Sequence, residues 1–107
     1  MNHQDLSEPY VALVIPTYNR AALIDRAIRS ALDQTYEHIE VIVVDDGSTD
    51  DTESVVRAFD DDQLRYVRQE NAGANAARNH GIRLASGTYV SFLDSDDELH
   101  PEHVESL

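Results

Sequence analysis

Four short strand-like segments, separated by stretches with helical periodicity, are the feature that most constrains how this chain can fold. Two of them are nearly continuous apolar runs, which is typical of strands buried on both faces of a sheet. A third alternates in the manner of a strand nearer a sheet edge, and the fourth ends abruptly in acidic residues. In chain order they are "YVALVI" (10–15), "EVIVVDD" (40–46), "LRYVRQ" (64–69) and "TYVSFL" (88–93).

The segments between the strands predict helices. "RAALIDRAIRSALDQT" (20–35) has apolar residues at helical spacing, with Asn19 as its cap. "DTESVVRAF" (51–59) has acidic residues in its first turn, and "GANAARNHGIRLAS" (73–86) is rich in alanine and stopped by Gly87. "HPEHVESL" (100–107) opens a further helix with Pro101 at its first position. The order βαβαβαβ with short connections predicts an α/β, Rossmann-like parallel sheet with helices on both faces.

The length of 107 residues suits one small domain, which we place at residues 10–107 after a polar leader at 1–9. There is no cysteine for a disulfide or a thiolate zinc site, and the five histidines form no convincing metal set. The opening "MNHQDLSEPY" lacks the basic start and apolar core of a signal peptide, and no apolar run is long enough to span a bilayer. We therefore expect a cytoplasmic location, compatible with docking at the inner face of a membrane.

The charge of the chain is unusual. The formal net charge is -13, and all eight basic residues are arginine. Self-repulsion on this scale costs stability in dilute buffer, and high salt screens it. We therefore predict a halophilic source, with an ordinary acidic protein as the alternative. No basic stripe exists to neutralise phosphates, which disfavours nucleic-acid binding.

Polar loops follow three of the four predicted strands. Strand one is followed by "PTYN" (16–19), strand two by "DDGSTD" (45–50) and strand four by "DSDD" (94–97). Parallel strands bring such loops to one rim, and ligands bind outside the carboxyl ends of the strands. The sequence therefore predicts a binding site at this rim.

The acidic loop crowds Asp94, Asp96, Asp97 and Glu98 at a strand end, where like charges repel. A hard cation such as Mg²⁺ or Mn²⁺ removes that repulsion, because it prefers carboxylate and phosphate oxygens. The alternative is a solvated acidic turn that only caps the next helix, and the spacing alone favours neither.

Three other residues at the rim each have two interpretations. Asp46, before the tight turn at Gly47, accepts a ligand N–H, or the segment Ser48–Asp50 simply starts the following helix; the two interpretations are compatible. Tyr18 stacks on a planar base or is an ordinary, partly buried aromatic. Arg78, on a helix with a glycine-led start, meets phosphate or pairs with one of the many carboxylates.

Taken together, four motifs resemble the amino-terminal half of family 2 glycosyltransferases. They are "VIPTYNR", "VIVVDDGSTDDT", "NAGANAARNHGI" and "ASGTYVSFLDSDDELHP", and the resemblance runs from about Val11 to about His103. These enzymes have the GT-A fold and use nucleotide-diphosphate sugars.

The resemblance also implies roles for single residues. Thr17 and Tyr18 line the nucleoside pocket, Asp46 accepts the base N–H, Gly73 allows close approach of the nucleotide, and Arg78 lies beside the base and phosphates. Asp94 and Asp96 form the DxD motif: Asp94 bonds the ribose or orders the loop, and Asp96 holds the metal. Asp97 supports the loop or faces the donor sugar. The nucleotide-binding set is thus Pro16, Thr17, Tyr18, Asn19, Asp46, Gly73, Arg78 and Asp94, with Asp96 for the metal, supported by Asp94, and Asp97 on the donor-sugar side.

The implied reaction is transfer of a sugar with inversion, dependent on Mn²⁺ or Mg²⁺, from a donor of the UDP type to an acceptor glycan or lipid-linked sugar. The family's general base lies in the second half of the domain, so no catalytic residue is expected before Leu107 and the chain alone is expected to be inactive. Exposed half-domain surface favours a homodimer. The alternative function is a non-catalytic nucleotide-sugar-binding or structural module completed by another chain.

Overall fold

A computed structural model describes residues 9–87 and 89–105 and shows a four-stranded sheet with helices on both faces. The strands are β1 (Val11–Thr17), β2 (Ile39–Asp45), β3 (Leu64–Arg68) and β4 (Tyr89–Phe92), and the helices are α1 (Ile24–Leu32), α2 (Thr52–Arg57) and α3 (Ala74–Leu84). Every pairing is parallel, and the strands lie in the order β3-β2-β1-β4. The α/β, Rossmann-like prediction is confirmed.

The core lies on both faces of β1 and β2, which explains why their sequences are apolar without alternation. Leu13, Ile15 and Val41 point to the face covered by α1 and α2. Val14 and Ile42 point to the face covered by α3. The two inner strands are thus enclosed, while β3 and β4 form the edges of the sheet in the described part of the chain.

Helix α3 lies unusually close to the sheet at Gly81. A Cβ built on this buried glycine would lie 2.4 Å from Cγ1 of Val14 and 3.0 Å from its Cγ2. The missing side chain therefore allows the helix to pack directly on β1.

Helix α1 is shorter than the predicted 20–35. Residues 20–23 form a turn in which the amides of Leu23 and Ile24 both donate to the carbonyl of Arg20. Asn19 does not cap the helix as predicted, because it adopts a left-handed φ of 51° and directs its side chain to the loop after β2. Apolar periodicity did not reveal this, since Leu23 and Ile24 suit a turn or a helix alike.

The predicted helix at 100–107 is not formed over its described part, where residues 101–105 form turns. Backbone groups here are bound from outside the segment: the Val104 amide donates to Gln34, and the Pro101 carbonyl accepts from the Thr35 amide. Residues 106–107 and the leader at 1–8 lie outside the described residues. Within the described ranges, no helix has the length and apolar character needed to cross a bilayer.

Candidate functional site

The carboxyl ends of the strands enclose a cavity of about 310 Å³. It opens between β1 and β4, where the strand order reverses and the chain leaves a crevice. Its walls come from the loop after β1, the end of β2, the start of α3 and the loop after β4. The lining residues are Pro16, Thr17, Tyr18, Arg20, Asp46, Ala74, Ala77, Arg78, Asp94, Ser95 and Asp96.

This cavity brings together most of the residues that the sequence singled out. Asn19, Gly73 and Asp97 lie beside it without lining it, whereas Arg20, Ala74, Ala77 and Ser95 were not predicted. Arg20 was missed because it was assigned to a helix. The alanines carry no chemical signal, and they matter here because small side chains leave room beside Arg78.

The end of β1 and the loop after it offer a buried polar atom and an exposed ring. Thr17 is buried, and its Oγ1 has no hydrogen-bond partner among the described residues. A buried hydroxyl without a partner is costly, so this atom is one that a ligand or water would satisfy. Tyr18 is 44% exposed, which leaves the ring accessible for stacking.

Asp46 is the most heavily bonded carboxylate at the cavity. Its Oδ1 accepts from Gln69 Nε2 and the Ala72 amide, both at 2.8 Å. Its Oδ2 accepts from the Gly73 amide at 3.0 Å and from Asn71 Nδ2 at 3.2 Å. The segment between β3 and α3 is therefore wrapped around this one side chain.

Two opposing effects act on the ionisation of Asp46. Burial alone raises the pKa of the carboxyl, but the hydrogen bonds from Ala72, Gln69 and Gly73 together lower the pKa below its ordinary value of 3.8. The side chain is thus a carboxylate at neutral pH, and it contributes negative charge to the cavity wall.

The preceding residue, Asp45, is a structural carboxylate that the sequence analysis did not separate from Asp46. It is fully buried and accepts from the Ser48 amide and, at 2.6 Å, from the Tyr66 hydroxyl. Burial and this bond raise the pKa of Tyr66 to about 12. Strand alternation is the signal that distinguishes the two acids: Asp45 points to the α1 and α2 face with Val43, whereas Asp46 follows the strand.

Reciprocal hydrogen bonds join the loop after β1 to the loop after β2. Asn19 Oδ1 accepts from the Thr49 amide at 2.8 Å, and Ser48 Oγ accepts from the Asn19 amide at 2.8 Å. In return, Asp50 Oδ2 accepts from the Ala21 amide at 3.1 Å, and its Oδ1 binds Thr52. The backbone next to Tyr18 is therefore held by both loops.

Replacing Asn19 tests this connection. We expect Asn19→Gly to lower the free energy of unfolding by about 1 kcal/mol through the lost side-chain bonds. Asn19→Ala should cost about 1 kcal/mol more, because alanine disfavours positive φ. Urea denaturation followed by circular dichroism measures both. Equal stability of the two variants would contradict an energetic effect of the left-handed φ at residue 19.

The acidic loop presents free carboxylates. Asp94 and Asp96 are exposed, and their side chains make no hydrogen bond or ion pair within residues 9–87 and 89–105. In those ranges, no three His, Cys, Asp or Glu side chains are grouped closely enough to hold a metal by themselves. Two carboxylates at one cavity do fit Mg²⁺ or Mn²⁺, which usually completes its shell with water and substrate phosphates.

The opposite wall carries positive charge. Arg78, in the second turn of α3, donates from Nη1 to Asn75 Oδ1 at 3.2 Å and forms no ion pair among the described residues. The Arg20 guanidinium donates to the carbonyls of Tyr18 and Asn19, both at 3.4 Å, and pairs with no carboxylate in the described part of the chain. Gly73, immediately before α3, has a φ of 100°, which other residues rarely adopt. The cavity thus combines carboxylates and guanidinium groups around an accessible ring.

The family model for "Glycosyl transferase family 2" matches residues 12–107. The chain belongs to this family. It is 44% identical over 95 residues to a GalNAc(5)-diNAcBac-PP-undecaprenol beta-1,3-glucosyltransferase of Campylobacter jejuni, which covers 85% of this chain and 31% of that enzyme. The glycosyltransferase prediction is confirmed at the level of the family.

Two solved structures of glycosyltransferases confirm the GT-A fold. S. aureus TarS 1–349 in complex with UDP-GlcNAc has a TM-score of 0.85 and 31% identity, over 91% of this chain and 29% of that one. Mannosyltransferase PcManGT from Pyrobaculum calidifontis, in complex with GDP-Man and Mn²⁺, has a TM-score of 0.79 and 37% identity, over 85% of this chain and 28% of that one. The chain therefore spans less than a third of the length of each of these proteins.

Proposed function

We propose that this chain binds the donor of a glycosyltransferase, a nucleotide-diphosphate sugar whose sugar is transferred to an acceptor hydroxyl with inversion. The observation that carries the proposal is the single cavity in which Tyr18, Asp46, Arg78, Asp94 and Asp96 meet. An exposed ring suits a base, guanidinium groups suit phosphates, and paired carboxylates suit a metal-bound diphosphate. The TarS and PcManGT complexes, which contain nucleotide sugars, support the same interpretation.

The nucleoside would lie against the loop after β1. In this arrangement the Tyr18 ring stacks on the base, Pro16 and Thr17 form the pocket wall, and Asn19 holds the loop. Asp46 accepts the base N–H, which favours a uracil edge and a UDP-type donor. Because four donors already occupy this carboxylate, we expect the longest bond, from Asn71 at 3.2 Å, to give way to the base.

The diphosphate would lie between Arg78 and the acidic loop. Asp96 holds Mn²⁺ or Mg²⁺ with support from Asp94, and the exposed α3 start at Gly73 allows close approach. When bound, such a metal stabilises the negative charge that develops on the leaving nucleoside diphosphate. Asp97 accepts from the Glu98 amide at 2.9 Å, which favours support of the loop over a contact with the donor sugar.

We assign the binding and activation of the acceptor to residues other than those of the cavity. Inversion by direct displacement needs a general base beside the acceptor hydroxyl, and we assign none of the acids of this chain to that role. The chain carries the donor-binding half, and we expect it to transfer no sugar alone. The acceptor, a glycan or a lipid-linked sugar, belongs to the same proposal.

Calorimetric titration of UDP and of GDP into the chain in molar KCl tests donor binding. We expect a Kd between roughly 1 μM and 1 mM with Mn²⁺. Asp96→Ala should weaken Mn²⁺-dependent binding about tenfold or more, because the metal loses a carboxylate ligand. Preference for UDP over GDP would support the UDP-type assignment.

The matched control is Asp62→Ala, which removes an equal charge from an exposed turn away from the cavity. It should leave both affinities unchanged. A folded wild-type chain that binds neither nucleotide would refute the proposal, and equal effects of the two substitutions would refute the metal role of Asp96.

A further inference from the structure

Three side chains spaced four residues apart bind the backbone of the acidic loop and of the segment that follows it. Arg26 and Ser30 lie on α1, and Gln34 lies just beyond its end. Arg26 Nη2 donates to the carbonyl of Asp96 at 3.2 Å. Ser30 Oγ accepts from the amide of Leu99 at 2.9 Å. Residues at this spacing share one helix face, so the acidic loop and its continuation are fastened along a single stripe.

Gln34 makes the most contacts of the three. Its Nε2 donates to the carbonyl of His100 at 2.8 Å, and its Oε1 accepts from the amide of Val104 at 2.8 Å. Its Nε2 also donates to the carbonyl of Ser30, which ties it to the end of α1. Gln34 is buried, at 8% exposure, as is Val104. Satisfied amides inside protein set a unique register, because any shift would leave them unpaired.

Every one of these cross-contacts ends on a backbone atom. They therefore fix where the chain runs after β4, whichever side chains the loop carries. Arg26 Nε also pairs with Glu98 at 3.6 Å, and this exposed pair draws Glu98 toward α1. The loop is thus held from the side opposite the cavity.

We propose that Arg26, Ser30 and Gln34 are positioning residues that keep Asp94 and Asp96 directed together at the cavity before a metal binds. Without them, repulsion within the acidic loop would separate the two carboxylates. Holding the two carboxylates together costs free energy. The hydrogen bonds of the stripe offset this cost when the chain folds, so the binding free energy of the metal and diphosphate is reduced less by it. This inference rests on the metal-dependent donor binding proposed above.

The test separates binding with metal from binding without it. UDP is titrated calorimetrically with Mn²⁺ and with EDTA, and the ratio of the two Kd values is compared between variants. Gln34→Leu should reduce the Mn²⁺ enhancement about tenfold, because two contacts to the loop's continuation are lost. Its metal-free Kd should stay within about twofold, since a displaced acidic loop repels the diphosphate no more than a correctly placed one.

Gln63→Leu is the matched control, because Gln63 also binds two backbone carbonyls, those of Glu37 and Ile39, at the opposite end of β2. It should leave the enhancement unchanged. If circular dichroism shows Gln34→Leu unfolded, the double variant Arg26→Met, Ser30→Ala replaces it, since both positions are less buried.

The possible outcomes test this inference separately from the proposed metal-dependent donor binding on which it rests. A wild-type chain that binds UDP no better with Mn²⁺ overturns the metal proposal, and the inference with it. A wild-type enhancement that the folded variants retain overturns the inference alone. Equal weakening with and without metal assigns the stripe a merely structural role and also overturns it.

Discussion

Replacing Asp46 with alanine is expected to lower the free energy of unfolding by about 3 kcal/mol and to abolish nucleotide binding. Four donors converge on this carboxylate: the side chains of Gln69 and Asn71 and the amides of Ala72 and Gly73. Water can replace the carboxylate only in part, because Asp46 is 5% exposed. The segment between β3 and α3 would lose the group around which it is ordered. Urea denaturation and UDP titration measure the two effects.

Charge removal by itself works in the opposite direction. In a chain of net charge -13, losing one carboxylate relieves repulsion. Asp62→Ala, at an exposed turn, measures this effect alone and should be neutral or slightly stabilising. An Asp46→Ala variant as stable as Asp62→Ala would show that the four bonds contribute nothing to folding.

The pH dependence of Asp46 follows from its lowered pKa. Because the folded pKa lies below the ordinary value, the carboxylate contributes stability that is fully present above about pH 4. That contribution is lost as the pH falls through the folded pKa. Asp46→Asn should therefore show a shallower loss of stability below pH 4 than the wild-type chain.

Gly81→Ala is the second change with a large expected effect, a loss of about 2 kcal/mol in the free energy of unfolding. The new methyl would lie 2.4 Å from Cγ1 of Val14, a fully buried side chain on a central strand. Overlap of this kind forces α3 away from the sheet, and this outweighs the gain in helix propensity of up to about 1 kcal/mol. Since Arg78 lies on the same helix, its position at the cavity should shift as well.

A double-mutant cycle with Val14→Ala checks the cause. In the background of Val14→Ala both γ-carbons are gone and the nearest remaining side-chain atom of residue 14 is its Cβ, at 3.3 Å, so adding Gly81→Ala should cost clearly less stability than it does in the wild type. Urea denaturation of the four proteins supplies the cycle. An equal loss of stability in both backgrounds would show that contact with the Val14 γ-carbons is not the reason for the glycine.

The sequence predicts the architecture of this chain well, because its strongest signals are nonpolar and local. Buried strands such as Val41–Val44 are uninterrupted apolar runs, and turn residues separate them from the helices. The failures occur where side chains bond distant backbone. Asn19 accepts from the Thr49 amide instead of capping α1. Residues 101–105 form turns, in which the Val104 amide donates to Gln34, instead of a helix. Local propensity contains no information about such partners.

Some residues of the candidate site could likewise be predicted from the sequence, and others could not. Charged and aromatic residues at strand ends, such as Asp94 and Tyr18, are visible in the sequence as a group, because parallel strands bring their ends together. The alanines at 74 and 77 could not be recognised in the sequence, because they contribute to the site only by leaving room in the cavity. The separate duties of Asp45 and Asp46 follow from which side of the strand each faces, and a boundary uncertain by one residue hides that difference.

The strand order also has a consequence for how the chain reaches its final structure. The pairings of β1 with β2 and of β2 with β3 join segments close in sequence, whereas β1 and β4 pair residues about 80 positions apart. Closing so long a loop costs more chain entropy, so we expect this pairing to form more slowly. The loops carrying Tyr18 and Asp94 meet only when that last pairing forms. A ligand that contacts both loops would therefore bind the completed fold and not a partly folded intermediate, so its binding would report the final folding step.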